Sequence, residues 1–264
     1  MLNLPDVTLL CVETRNLTLA HWAIEKCLSK ANFAKVVLLT DLARLSDKKG
    51  GIEYIQAPPI KTTKDYSQLL LTGIDQYASG THVLIIQWDS FITNPELWDE
   101  SFLGYDYIGP IWPHHPETPV GNGGFSLRSR KLLKALLDDQ VIKRHPEDYC
   151  ICVDNKHYLE RKYNIKFAPA IVAEQFAVER SLWHPAFGFH GFFNFGRVLD
   201  DGHLGGFIDL LPTEYLSGLD SYDLISQLRE QGRNEMAKKI GKKVIFKWKM
   251  RKKYFCLKIH DFLN

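Results

Sequence analysis

The 264-residue chain holds no G-x-G-x-x-G after its first apolar run and no G-x-x-x-x-G-K-[ST] anywhere. The dinucleotide fold and the P-loop therefore lose their main sequence support. It has only five cysteines, at 11, 27, 150, 152 and 256. That number is odd, and Cys150-x-Cys152 is too close for the usual C-x-x-C ligand pair, so a zinc site is not indicated and reduced thiols are expected. No run approaches the ~20 apolar residues that cross a bilayer. The first ten residues, M-L-N-L-P-D-V-T-L-L, have no basic leader and no long apolar core, so no signal peptide is expected. A second cluster of carboxylates, which a two-metal phosphatase or nuclease would need, is also missing.

What is present is an ordinary globular balance, 45% hydrophobic and 24% charged. The net charge of +2 conceals an asymmetry: the last 27 residues carry +9 and residues 1–237 carry −7. Apolar runs at 7–12, 36–39 and 83–86 predict buried strands, with a shorter strand at 52–56. Helical spacing predicts helices over 17–31 and 65–77, and another from about Ser129. Strands alternating with helices imply an α/β fold, a mostly parallel sheet with crossover helices. Ligands gather beyond the carboxyl ends of such strands. One rim is then expected to carry Thr14 and Arg15, Asp41, and Gln87-Trp88-Asp89.

Four stretches could carry chemistry. Asp89 ends a buried strand, where it either caps the following turn or offers a hard oxygen to Mn²⁺ or Mg²⁺. Gly121-Asn122-Gly123-Gly124 is either a tight turn or a loop whose glycines adopt positive φ and admit a ligand closely. The aromatic and imidazole-rich Trp112-Pro113-His114-His115 before it would suit a sugar ring. His145-Pro146-Glu147-Asp148 reads as a helix N-terminus, and one of its carboxylates could serve as a general base. His190, between Gly188 and Gly191 in an aromatic loop, is either a satisfied structural imidazole or an ion ligand.

Taken in order, these pieces resemble the GT-A superfamily of nucleotide-sugar-dependent glycosyltransferases. More narrowly, they resemble a bacterial family labelled a domain of unknown function and found with surface-polysaccharide and lipopolysaccharide enzymes. The matching stretches are V-L-I-I-Q-W-D-S-F-I-T-N-P-E-L-W, Y-D-Y-I-G-P-I-W-P, V-G-N-G-G-F-S-L-R-S, H-P-E-D and F-G-F-H-G, covering roughly residues 7–195. The resemblance implies a GT-A-like, Rossmann-type sheet and a metal-assisted transfer, inverting if a base acts. The sugar would pass from a nucleoside-diphosphate sugar to a hydroxyl of a glycan or lipid-linked glycan. It implies that Asp89 and His190 hold the metal, Asp89 standing where the superfamily has Asp-x-Asp and Gln87 replacing the first acid. Thr14, Arg15, Asp41, Trp88, Gly123 and Gly124 would then line the donor site. Asp148 would be the base, with Glu147 the alternate. Because Gln87 removes a charge, a non-catalytic nucleotide- or carbohydrate-binding protein of the same fold is the alternative.

The domain is expected to span 1–232, followed by a basic helical tail, 233–264. There Ile240, Val244, Trp248, Phe255 and Ile259 recur at spacings compatible with one helical face. Such a segment suits an anionic membrane surface, each Lys or Arg contributing ~1 kcal/mol. The expected location is cytoplasmic, peripheral on the inner face of the membrane. No nucleic-acid module is recognisable.

Overall fold

Strand β1 (Leu2–Val12) is buried without a break from Val7 onward, as a strand covered on both faces must be. In this computed structural model, which describes residues 1–244 except His114, Pro116, Pro119 and Ser217, β1 lies at the centre of a six-stranded sheet. It pairs in parallel with β2 (Ala31–Thr40) and with β4 (His82–Ile86), and β2 pairs in parallel with β3 (Glu53–Gln56). Beyond β4, β7 (Phe125–Ser129) runs antiparallel, and β6 (Tyr107–Ile108) pairs antiparallel with β7, giving the order β3-β2-β1-β4-β7-β6. This is the mostly parallel, helix-flanked α/β sheet that the alternation of apolar runs predicts.

Helix α1 (Leu17–Leu28) crosses from β1 to β2, and α2 (Thr63–Thr72) crosses from β3 towards β4. Asn16 caps α1 by accepting from the Leu19 N–H, and Thr62 with Asp65 forms a capping box on α2. Leu69 and Leu70 of α2 pack against Leu10, Val37, Leu39, Val83 and Ile85 of the sheet. Both helices are shorter than their apolar spacing suggests. The first stops at Leu28 because Ala31 already pairs with Leu2 in β2. The second stops at Thr72, before Gly73, and a separate 3₁₀ turn covers Asp75–Tyr77.

A second, small sheet has the order β5-β9-β8. It joins β5 (Ser90–Ile92) antiparallel to β9 (Gly188–His190), and β9 parallel to β8 (Ala177–Val178). Phe91 and Phe189 meet edge to face at 4.7 Å. Between the sheets in sequence come α3 (Arg130–Ala135), capped by Ser129, then the single turn α4 (Glu147–Tyr149), α5 (Lys156–Tyr163) and α6 (Ala170–Phe176).

The chain divides into two compact units after His190. The second contains α7 (Phe195–Val198), α8 (Asp201–Leu210), α9 (Leu219–Glu230) and α10 (Asn234–Lys243). In it, Lys239 and Lys243 reach Asp209 at 2.8 and 2.6 Å, tying α10 to α8. The boundary expected after residue 232 falls inside this second unit, at the turn at Gly232 (φ 75°) between α9 and α10. The expected tail residues Trp248, Phe255 and Ile259 lie outside the described residues. Among the described residues no helix is long and apolar enough to cross a membrane.

Candidate functional site

The carboxyl edge of β4 does not end in a loop but turns directly into the second sheet. The Gln87 N–H donates to the Gly124 carbonyl at 3.1 Å and to Ser90 Oγ at 2.9 Å. Ser90 Oγ in turn donates to the Gly124 carbonyl at 2.7 Å. This clamp holds Gln87-Trp88-Asp89 at the rim. Because Ser90 lies opposite His190 in the β5–β9 ladder, the imidazole arrives beside Asp89. His190 Nε2 lies 3.4 Å from Asp89 Oδ1 and 3.3 Å from Gln87 Oε1. Its other nitrogen, Nδ1, lies 3.1 Å from Glu179 Oε1. Gln87 is turned this way by its own amide N–H, which donates to the Tyr66 hydroxyl at 3.0 Å.

Burial by itself would favour a neutral His190. The carboxylates of Asp89 and Glu179 outweigh it and hold the imidazole well above its ordinary 6.5. Burial, with Glu147's charge adding, pushes Tyr66 far above the usual phenol range, so it stays a neutral hydrogen-bonding group.

The glycines of the Gly121–Gly124 loop do not take the positive φ expected of them. Positive φ falls on Asn122, at 58°, and not on these glycines. Asn122 Oδ1 accepts from the Gly124 N–H at 3.0 Å. The glycines instead let side chains of the protein come close. A Cβ would lie 2.2 Å from the Trp112 ring at Gly121, 2.0 Å from Glu147 Oε1 at Gly123 and 2.2 Å from His190 Nε2 at Gly124.

The Glu147–Asp148 pair is sorted by its surroundings. Glu147 is buried and accepts from Arg128 Nη2 at 3.2 Å and from Ser67 Oγ at 3.3 Å. Arg128 is fully buried. Asp148 is half-buried and accepts from the Gly123 N–H at 3.2 Å and from the Tyr149 N–H at 2.8 Å. Its neighbours Trp112, His115 and Tyr149 form an aromatic group with ring centroids 5.4–6.4 Å apart.

Two cavities open along the same rim. One of about 360 Å³ is lined by Thr14, Arg15, Thr62, Tyr66, Gln87 and Trp88, among others. The other, about 1030 Å³, includes Thr14, Arg15, Asp41, Gln56 and Asp65. Thr14 and Arg15 belong to both, on a loop folded by Glu13, whose Oε1 accepts from the Arg15 N–H at 2.7 Å. Asp41 also caps a short turn by accepting from the Ala43 N–H at 3.1 Å. Asp89, Gly123 and Gly124 line neither of these two cavities.

Among the described residues no group of three or more His, Cys, Asp or Glu side chains is arranged to hold a metal ion. Asp89, Gln87 and His190 form a mixed set of oxygen and nitrogen donors with two known separations. Ligands about 2.1 Å from a common ion sit about 3.0–3.4 Å from each other. The His190 Nε2 separations of 3.4 and 3.3 Å from Asp89 Oδ1 and Gln87 Oε1 match that spacing. One carboxylate, one amide oxygen and one imidazole suit Mn²⁺ or Mg²⁺ when other oxygens complete the shell. Glu179 and Tyr66 were not anticipated. Nothing local in Ala177-Val178-Glu179-Arg180 marks the glutamate.

The model of a family described as a protein of unknown function, DUF5672, matches residues 50–190. The chain belongs to this family. The DUF5672 region thus holds Gln87, Asp89, the glycine loop, Glu147 and Asp148, and ends on His190, while Thr14, Arg15 and Asp41 precede it. No curated protein matches the chain in sequence. Similar solved structures include the bifunctional IspDF of Campylobacter jejuni, at 15% identity and TM-score 0.38 over 55% of this chain. The chain spans under half of that protein, 46%. They also include the galactosyltransferase LgtC in complex with donor and acceptor sugar analogues, at 13% identity and TM-score 0.44 over 69% of this chain and 86% of that one. A third is a glycosyltransferase involved in glycosylation of the major capsid of PBCV-1, at 12% and 0.43 over 70% and 92%.

Proposed function

We propose that this DUF5672 protein is a metal-assisted glycosyltransferase that moves a sugar from a nucleoside-diphosphate sugar to a hydroxyl of a glycan or lipid-linked glycan. The observation that carries this reading is the convergence of Asp89 Oδ1 and Gln87 Oε1 on His190 Nε2, where β4 leaves the sheet beside a cavity of about 360 Å³. Asp89, His190 and Gln87 are the residues that would hold a divalent ion. Such an ion, when bound, neutralises charge that develops on a departing diphosphate.

The chain's own residues supply the rest. Thr14, Arg15 and Trp88 line the cavity and bind the nucleotide, and Asp41 extends that surface into the larger cavity. Asp148 is held by the Gly123 and Tyr149 N–H groups and accepts the proton of the attacking hydroxyl. The hydroxyl oxygen bonds to the anomeric carbon as the carbon–diphosphate bond breaks, so the centre inverts. Glu147, spent on Arg128, supports Asp148 rather than replacing it.

The test is diphosphate release and transfer from a panel of nucleotide sugars with Mn²⁺, comparing the native chain with Asp89→Ala and Asp148→Ala. Loss of turnover in both supports the reading; turnover equal to the native chain in either one overturns that residue's role. Gln87 favours a second reading, because it leaves one carboxylate on the ion: a nucleotide- or carbohydrate-binding protein without chemistry. That protein would be stabilised by nucleotide yet release no diphosphate with any donor.

The basic segment after residue 232 is read as a peripheral contact with the anionic inner face of the cytoplasmic membrane. Since α10 is tied to α8, the cut is placed after Val244. The truncated chain is expected to lose sedimentation with phosphatidylserine vesicles, and unchanged sedimentation removes the membrane contact.

A further inference from the structure

We propose that Glu179 is the positioning residue of the ion site, fixing His190 in the one ring orientation and tautomer that turns a lone pair towards Asp89 and Gln87. The inference rests on the metal reading above. The parallel β8–β9 ladder pairs Ala177 with Gly188 and Val178 with Phe189, and the next step in register sets Glu179 beside His190. Glu179 Oε1 lies 3.1 Å from Nδ1, and both side chains are only 15% exposed.

A neutral imidazole has one donor and one acceptor nitrogen, and an ionised carboxylate only accepts. When an ion takes the place of the proton on Nε2, the nitrogen 3.4 Å from Asp89 Oδ1 and 3.3 Å from Gln87 Oε1, Glu179 holds the remaining proton on Nδ1. A half-turn of the ring about its Cβ–Cγ bond would exchange nitrogen for carbon at both contacts. The Glu179 hydrogen bond opposes that turn from one edge. The other edge is confined by Gly124, where even a methyl group would come within 2.2 Å of Nε2. Glu179 faces the nitrogen turned away from Asp89, so its effect on the ion site passes through the ring.

The experiment titrates the full chain with Mn²⁺ alone and reads free ion by electron paramagnetic resonance. It compares the native protein with Glu179→Ala, Glu179→Gln and Asp89→Ala, each checked for native melting. Removing an outer-shell partner of a metal-bound histidine weakens the metal by about 10- to 100-fold. That loss is expected for Glu179→Ala, with partial recovery in Glu179→Gln, whose amide oxygen still accepts from Nδ1–H. Native affinity in Glu179→Ala overturns the inference and leaves the metal reading standing. Absence of Asp89-dependent Mn²⁺ binding in the native chain overturns both. If Glu179→Ala does not fold, ¹⁵N shifts of His190 in the Mg²⁺-saturated native protein decide the matter: a proton on Nδ1 supports the inference, and a bare Nδ1 overturns it.

Discussion

The Gly121–Gly124 loop touches two charged groups that follow different rules. On one side Gly123 approaches Arg128 and Glu147, one cation and one anion, with Ser67 and Ser126 hydroxyls and the Tyr107 ring around them. On the other side Gly124 approaches His190, which two carboxylates and an amide oxygen surround. The first group sets one guanidinium against one carboxylate, with Arg128 Nη1 left buried without a hydrogen-bond partner among the described residues. The second gathers two carboxylates and an amide oxygen at the two nitrogens of one imidazole. Burial of charge alone does not mark a functional site, since the more deeply buried pair is the structural one. What separates them is their make-up: an arginine–glutamate ion pair in one, and an imidazole between two carboxylates in the other.

The comparison breaks if removing the ion pair's cation does not cost stability. Arg128→Met leaves Glu147 buried without it, and about 3–5 kcal/mol should disappear from the free energy of urea unfolding. A native midpoint and slope would place Glu147 in solvent contact. Asp89→Ala should act on the ion site. Mn²⁺ affinity falls by about a hundredfold or more, beyond the loss of an outer-shell partner, and native affinity would remove Asp89 from that site. Gly124→Ala tests the loop itself. The added methyl displaces the His190 ring, so Mn²⁺ affinity should drop by roughly tenfold, with a stability cost of about 1–3 kcal/mol for overpacking. Unchanged affinity would mean that the ring has room to spare.

A smaller effect sharpens the same contrast between two histidines. His82, at the start of β4, is buried against Thr81 Oγ1 and the Tyr105 carbonyl, and burial lowers its pKa despite Asp106 and Asp6 nearby. Its folded-state pKa is below the 6.5 of the unfolded chain, so below that pH the unfolded state binds more protons. Its contribution to stability is therefore full above pH 6.5 and declines as the pH falls. His190 is shifted the other way. Imidazole proton titration by NMR should find His82 neutral and His190 charged at pH 6.5 in the metal-free protein. Identical titrations would show that Asp89 and Glu179 do not control the ring.

Much of the frame was readable from local pattern. The runs Val7–Val12, Val36–Leu39 and Val83–Ile86 are uninterrupted because parallel strands are covered on both faces, and each forms strand in the structure. Placing Thr14, Arg15, Asp41 and Gln87 on one rim needed only the common direction of those strands. Helix ends were misjudged at Leu28 and Thr72, where pairing of Ala31 and the break at Gly73 prevail over apolar spacing. Arg128 draws no notice in G-F-S-L-R-S, and β7, entering the sheet between β4 and β6, carries it inside. Glu179 gave no local sign at all.

The sequence by itself determined the layered α/β frame, the rim of strand ends and the candidate acids, because burial and helical or strand period are local properties of neighbouring residues. Only the tertiary structure decided that His190 lies opposite Ser90, that Glu179 reaches its far nitrogen, and that Glu147 goes to Arg128 while Asp148 takes the Gly123 N–H. Those choices depend on which strands pair and in what register, and pairing between residues a hundred positions apart leaves no periodic trace in either segment.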